Sequence, residues 1–288
     1  MREQTLGRLR AGSGRFGDAM MQKITINGVE LAYVERGSGE ETVVLSHSYL
    51  VDHRQFESQI EALAGRYRVI AYDHREHGQS GAGSRDYDVD DLVADAIGVI
   101  EHTQAAPCHF IGLSTGGFVG LRLALRAPQL LQSLVLMDTS AQLEPWNKRL
   151  KYEAMLQVLR LLDFTPLMRS VMGMMFAPQT LRDPQRRDEM DAWRRRMTSN
   201  DRAGLIRFGR AIFRRDSVVD ELSAIKTPTL VVVGEEDRAQ PPARARAIAD
   251  GIPAAQLEII PEAGHLSTID QPTAVNERLE RFFAACNS

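Results

Sequence analysis

Short apolar runs alternate with amphipathic stretches through the first half of this 288-residue chain, and that rhythm restricts the folds open to it. Residues 23–26 and 29–35 read as a hairpin around Asn27-Gly28, a dipeptide suited to tight hairpin turns. Further strands are expected at 43–47, 68–72, 108–113 and 133–137. Helical stretches lie between them. One covers 53–64; another covers 89–103, where Leu92, Val93, Ala96, Val99 and Ile100 recur at helical spacing; a third covers 116–125 and is closed by Pro128. Parallel neighbours cannot be joined by a tight turn, so a strand–helix–strand rhythm implies parallel strands with helical crossovers on both faces of one sheet.

The rhythm stops after Asp138. Residues 140–226 are rich in Met, Leu and Arg and contain no convincing strand, so several helices are expected there. It resumes with a strand at 229–234, a helix at 242–250, a strand at 256–260 and a helix at 272–284. The expected fold class is therefore α/β, a mostly parallel doubly wound sheet of eight strands with a helical cap inserted after the sixth. The expected organisation is a core from 21–139 and 227–288, a cap or lid from 140–226, and a flexible extension at 1–20. Ligands of such sheets bind beyond the carboxyl ends of the strands, where an insertion of this kind forms a roof.

Composition narrows the partners. A net charge of −3 gives no electrostatic case for nucleic acid or an anionic membrane. There is no apolar run long enough to span a bilayer, and residues 1–20 lack the apolar stretch of a secretory signal. Two cysteines, Cys108 and Cys286, form no disulfide framework, which suits a reducing cytoplasm. A monomer or a homodimer is equally compatible.

Chemistry enters at Gly112-Leu113-Ser114-Thr115-Gly116. A Gly-x-Ser-x-Gly pattern alone is weak, but here an apolar strand leads in and a helix leads out. The flanking glycines allow a sharp turn, and the helix N-terminus presents free N–H groups beside the serine. The alternative is a plain strand–turn–helix with a solvated serine. A serine hydroxyl needs a base, and the base needs an orienting partner. Of seven histidines, only His265 follows the insertion, in a loop after the strand at 256–260. Asp237 follows the strand at 229–234; Glu235, Glu236 and Asp138 compete for the same role. Acyl transfer also needs backbone donors for the developing oxyanion. The expected pair is the N–H of Thr115 and that of Tyr49, with Ser48 as the competitor to Tyr49.

At these residues the chain resembles the α/β-hydrolase superfamily over about residues 22–285. The matching stretches are His47-Ser48-Tyr49-Leu50, Asp73-His74-Arg75-Glu76-His77-Gly78-Gln79-Ser80, the Ser114 turn, the Asp237 loop and Ala263-Gly264-His265. The family usually has Gly where Glu76 and Ser48 stand. The resemblance implies a Ser114–His265–Asp237 triad in the family's chain order. Phe56, Met137-Asp138-Thr139-Ser140-Ala141 and Gly264-His265-Leu266-Ser267 look most like the 3-oxoadipate enol-lactonase branch, which implies a small-molecule ester or lactone substrate.

The expected activity is thus a serine hydrolase acting through an acyl-enzyme, without metal or cofactor. A metal reading of His47, His74 and His77 lacks ligand spacing. Carbon–carbon bond hydrolysis, perhydrolysis and a slow-turnover ligand receptor are the competing readings. Ser48, Leu50, Trp146 and Met172 are expected to line the substrate site. Seven methionines in the insertion suit either an adaptable pocket or the packing of the cap. The eleven arginines between Arg182 and Asp216, set against six acids, read as a solvated helix face rather than an anion clamp.

Overall fold

In a computed structural model the described residues are 21–83, 86–162 and 164–286. The expected extension at 1–20 lies outside them. The chain forms eight strands: β1 Gln22–Ile26, β2 Val29–Arg36, β3 Thr42–Ser46, β4 Arg68–Tyr72, β5 Cys108–Leu113, β6 Leu131–Met137, β7 Thr229–Gly234 and β8 Gln256–Ile260. They make one sheet in the order β1-β2-β4-β3-β5-β6-β7-β8. The β1–β2 and β2–β4 pairs are antiparallel; every other pair is parallel. The β1–β2 turn is made by Asn27 at φ 50° and Gly28 at φ 77°, as the Asn-Gly pair anticipates.

Helices among the described residues are α1 Glu57–Leu63, α2 Val89–His102, α3 Thr115–Arg126, α4 Trp146–Leu161, α5 Thr165–Met175, α6 Pro178–Arg182, α7 Arg187–Ser199, α8 Arg202–Phe213, α9 Pro242–Gly251, α10 Ser267–Asp270 and α11 Pro272–Cys286. Five of them, α4 to α8, run between β6 and β7. The short α10, just after His265, carries no periodic apolar signal and is not anticipated by the sequence.

Every residue of β3, β5 and β7 is buried, as expected of strands covered on both faces. Successive side chains therefore enter two cores. Val43, Leu45, Ile111 and Val135 join one core with Phe56 and Leu63 of the α1 side and Leu279 and Phe283 of α11. Val44, Phe110, Leu134 and Leu136 join the other with Leu92 and Val99 of α2 and Val119 and Leu123 of α3. α2 opens with a capping box, in which Asp88 accepts from the Asp90 and Asp91 N–H groups and Asp91 reaches back to the Asp88 N–H. Replacing Phe110, fully buried in the central strand, with Ala should cost about 3–5 kcal/mol, read from the shift in the urea unfolding midpoint.

Candidate active site

Four parallel strands end side by side, and each end is tied to its neighbour one step beyond the ladder. The Ser114 N–H donates to Met137 O at 2.8 Å, the Asp138 N–H to Val232 O at 2.9 Å, and the Glu235 N–H to Ile260 O at 2.9 Å. The loops bearing Ser114, Asp138, Asp237 and His265 are thereby held at one edge of the sheet.

Ser114 sits between β5 and α3 with φ 52° and ψ −102°, a region that disfavours any residue with a Cβ. The sequence permits this because Gly116 carries no side chain: a Cβ there would lie 1.9 Å from Ser46 O. Gly112 is equally constrained, with a Cβ 2.1 Å from Gly116 O. The Thr139 hydroxyl donates to Ser114 O at 2.8 Å and fixes the turn from the β6 side. The result sets the Ser114 side chain at the N-terminus of α3, on the wall of a cavity it shares with His265.

His265 Nδ1 lies 2.9 Å from Asp237 Oδ2, and both side chains are buried. The other Asp237 oxygen accepts the Ala239 and Gln240 N–H groups at 2.8 and 2.9 Å, which fixes the carboxylate plane. Burial pulls the His265 pKa down, but the charge and hydrogen bond of Asp237 outweigh it and leave the imidazole above its ordinary value.

Asp138, the competing acid, is engaged elsewhere. Its Oδ1 accepts the Gly234 N–H at 2.8 Å, and its Oδ2 is paired with the Ser267 hydroxyl. Burial and the nearby charge of Asp237 push its carboxyl well above the usual carboxylate range, a shift that favours the neutral acid. A neutral acid and an asparagine present the same donor and acceptor pattern to Gly234 and Ser267. Asp138→Asn should therefore unfold within about 1 kcal/mol of the parent, whereas Asp138→Ala strands two buried groups at about 1–3 kcal/mol each; urea denaturation separates the two.

The loop after β3 contributes backbone donors. The Ser48 N–H donates to Gln55 Oε1 at 3.0 Å and the Leu50 N–H to His77 Nε2 at 3.3 Å. Between them, the Tyr49 N–H takes part in neither pairing. Three histidines brace this loop. His47 Nε2 accepts the His74 N–H at 2.8 Å, which leaves His47 Nδ1–H to donate to Ser48 O at 2.7 Å. Burial drives the His77 pKa down to about 3, so it stays neutral and accepts from Leu50. Asp52, His53 and Asp73 also lie close together, but Asp52 pairs with Arg54, and Asp73 takes the His53 N–H at 2.9 Å and the Gln79 N–H at 2.9 Å. Glu76, where the family usually has Gly, adopts φ 64° and pairs with Arg207 of α8 at 2.7 Å.

The cavity has a volume of about 100 Å³. Leu50 lines it, with Tyr49, Phe118, Tyr152 and Met175 among its other walls. Ser48, Trp146 and Met172 stand outside it. Ser48 is buried beneath the loop. Trp146 is 75% exposed and lines an outer groove with Leu150 and Arg214, because α4 turns Tyr152, Met155 and Leu159 inward instead. On α5 the cavity face is Leu167, Val171, Met174 and Met175; Met172 lies off that stripe and packs in the core.

A charged group on the cavity wall escapes the sequence reading. Glu144 accepts from Arg215 at 3.1 Å, from Gln240 at 3.2 Å and from Arg244 at 2.7 and 3.0 Å. Burial alone would raise the Glu144 carboxyl, but the Arg244 bond and the two guanidinium charges hold it at about 2. Arg215, one of the arginines read as solvated, is buried, with its guanidinium 3.6 Å from the centre of the Phe118 ring. Arg194 pairs with Asp191 on the exposed face of the insertion, whereas Arg186, besides pairing with Glu189, donates to the Ile269 and Asp270 carbonyls.

This architecture, a doubly wound sheet with a serine turn after the fifth strand and acid and histidine loops after the seventh and eighth, defines an α/β hydrolase. The alpha/beta hydrolase fold family matches residues 41–272, and the chain belongs to it. It is similar to 3-oxoadipate enol-lactonase 2 of Acinetobacter baylyi, 26% identical over 89% of this chain and 94% of that protein. A protein named for carbamate hydrolysis, from Rhizobium rhizogenes, is also 26% identical over 85% and 93%. A thermophilic esterase from Thermogutta terrifontis superposes with a TM-score of 0.86 at 26% identity, over 94% of this chain and all of that one. Hydrolase activity is the property these relatives share. Among the described residues no helix is long and apolar enough to cross a membrane.

Proposed function

We propose that this protein hydrolyses a small carboxylic ester or lactone through an acyl-enzyme on Ser114, with His265 as base and Asp237 as its orienting acid. The observation that carries the proposal is the 2.9 Å contact from His265 Nδ1 to Asp237, made by a histidine that shares one cavity with a serine on a strained turn. The names of the enol-lactonase and esterase relatives support the ester or lactone class; carbamates differ only in the atom beside the same carbonyl.

Asp237 holds His265 in the tautomer that leaves Nε2 free to accept a proton. Ser114 Oγ attacks the substrate carbonyl carbon while its proton passes to His265 Nε2. The carbonyl oxygen gains negative charge and is met by the N–H groups of Thr115 and Tyr49. Collapse expels the alcohol, protonated by His265; in a lactone it remains tethered to the acyl group. Water, deprotonated by His265, then attacks the ester of Ser114; the acyl–Oγ bond breaks, the proton returns from His265 to Ser114 Oγ, and the acid is released. Helices α4 to α8 act as the cap that keeps bulk water from the acyl-enzyme. The cavity is smaller than the roughly 150 Å³ that holds benzene, so a short acyl group is expected.

Ser114→Ala should fold normally yet lose about 10⁴-fold or more in kcat, because members of a triad act as a unit. Stopped-flow release of p-nitrophenol from p-nitrophenyl butyrate tests this: a burst with steady turnover, absent in the variant, is the expected outcome, and activity surviving in Ser114→Ala removes the assignment. His265 must be neutral to accept the proton, and Asp237 lifts its pKa. kcat/KM should therefore rise with pH through a value above the ordinary histidine value of about 6.5. In Asp237→Asn that limb should move to lower pH while kcat falls by about 10⁴-fold. A larger loss in Asp138→Asn would transfer the acid role to Asp138.

A further inference from the structure

The loop bearing the Tyr49 N–H is gripped from two sides. From the sheet side come the Gln55 and His77 bonds described above. From the insertion, Asn200 Nδ2 donates to Leu50 O at 2.9 Å, and the Tyr49 hydroxyl donates to Leu205 O at 2.7 Å. The Tyr49 ring lies parallel to Phe208 of α8, 5.8 Å between centres. Leu50 needs such a grip: its φ of 74° is left-handed, a conformation a leucine does not hold unaided. Asn200, which follows α7, is oriented by its own helix, since Nδ2 also faces Arg196 O at 3.4 Å and Met197 O at 3.3 Å. An amide nitrogen facing three carbonyl oxygens is fixed as a donor.

We infer that Asn200 is a positioning residue of the oxyanion site, and that the Tyr49 hydroxyl is its companion. Neither touches the reacting atoms. Asn200 pins the Leu50 carbonyl, one residue past that N–H, and the bond to Leu205 pins the side chain of Tyr49 itself, so the insertion sets the aim of a donor that belongs to the sheet. The inference rests on the proposed acyl transfer. A donor held slightly off line loses contact with an anion that exists only during reaction, while ground-state binding in the apolar cavity is left alone.

The test compares the full-length protein with Asn200→Ala and Asn200→Asp, the latter similar in shape but unable to donate. Steady-state hydrolysis of p-nitrophenyl butyrate is measured together with inhibition by a short alkyl trifluoromethyl ketone, whose serine adduct places an anionic oxygen at the same donors. Both variants should lose about tenfold in kcat, a partial form of the 10²–10³-fold loss typical of deleting a donor, with KM within about twofold. Affinity for the trifluoromethyl ketone should fall in parallel, and melting temperatures should stay close to the parent. Unchanged kcat in the folded variants, or a loss confined to KM, overturns the inference. If Asn200→Ala does not fold, Tyr49→Phe carries the same test, because it cuts the bond to Leu205 and keeps the backbone N–H. An inert parent overturns the hydrolase reading and this inference with it; an active parent with unaltered variants overturns this inference alone.

Discussion

The register of four parallel strands is the constraint on which everything else hangs. β5, β6, β7 and β8 pair so that Gly112 faces Leu136, Leu136 faces Val231 and Val231 faces Leu257. A slip of one residue in any pair would send its side chains to the opposite core, and the full burial of β5 and β7 forbids it. The strands therefore end in step, and the three backbone bonds beyond their ends transmit that alignment to the loops. Ser114 can occupy a strained conformation because the sheet on one side and α3 on the other leave it no alternative.

Ionic groups near the cavity are arranged by the same logic of burial. Two carboxyl groups, Asp138 and Asp237, lie close enough to repel, and they are differentiated by their partners. Asp237 faces an imidazole that can become cationic, whereas Asp138 faces a hydroxyl and an amide. The Asp138 carboxyl is pushed up by burial and by its neighbour, and only Asp237 is directed at His265. Glu144 solves its own burial differently, with two guanidinium groups and an amide around one carboxylate. Removing Glu144 would leave the buried Arg215 guanidinium without its anion, which is costlier than the pair itself is stabilising.

What could be read from the sequence divides along a physical line. Strand positions were legible because buried parallel strands are continuous apolar runs; 68–72, 108–113 and 229–234 coincide with β4, β5 and β7 to the residue. Ser114, Asp237 and His265 each follow a strand end in the sequence, and the structure sets Asp237 against His265 and His265 in one cavity with Ser114. The cavity walls were not legible. Which residues of α4 and α5 face inward depends on how those helices rotate against the core, and amphipathic helices with apolar residues on several faces, such as Trp146, Leu150, Tyr152 and Met155, do not declare it. Glu144 was invisible for a related reason: its partners Arg215 and Arg244 lie 71 and 100 residues away. No local spacing marks such a cluster, and a run of arginines hides the one that is buried.

The histidine loop is fastened to the insertion as firmly as the loop after β3. Asp270 Oδ2 accepts both the Gly264 N–H at 2.7 Å and the Ala177 N–H at 2.9 Å, and the Leu266 N–H donates to Met175 O at 2.8 Å. Glu144, also of the insertion, accepts from Gln240 in the Asp237 loop, so the inserted segment holds the loops of both His265 and Asp237. The insertion is thus no interchangeable cassette. A chimera that transplanted helices from a relative onto this sheet would inherit a new pocket but lose the struts that aim the old groups, unless the transplant carried counterparts of Glu144, Ala177, Asn200 and Arg215 along with it. Pocket shape and loop alignment in this chain must change together.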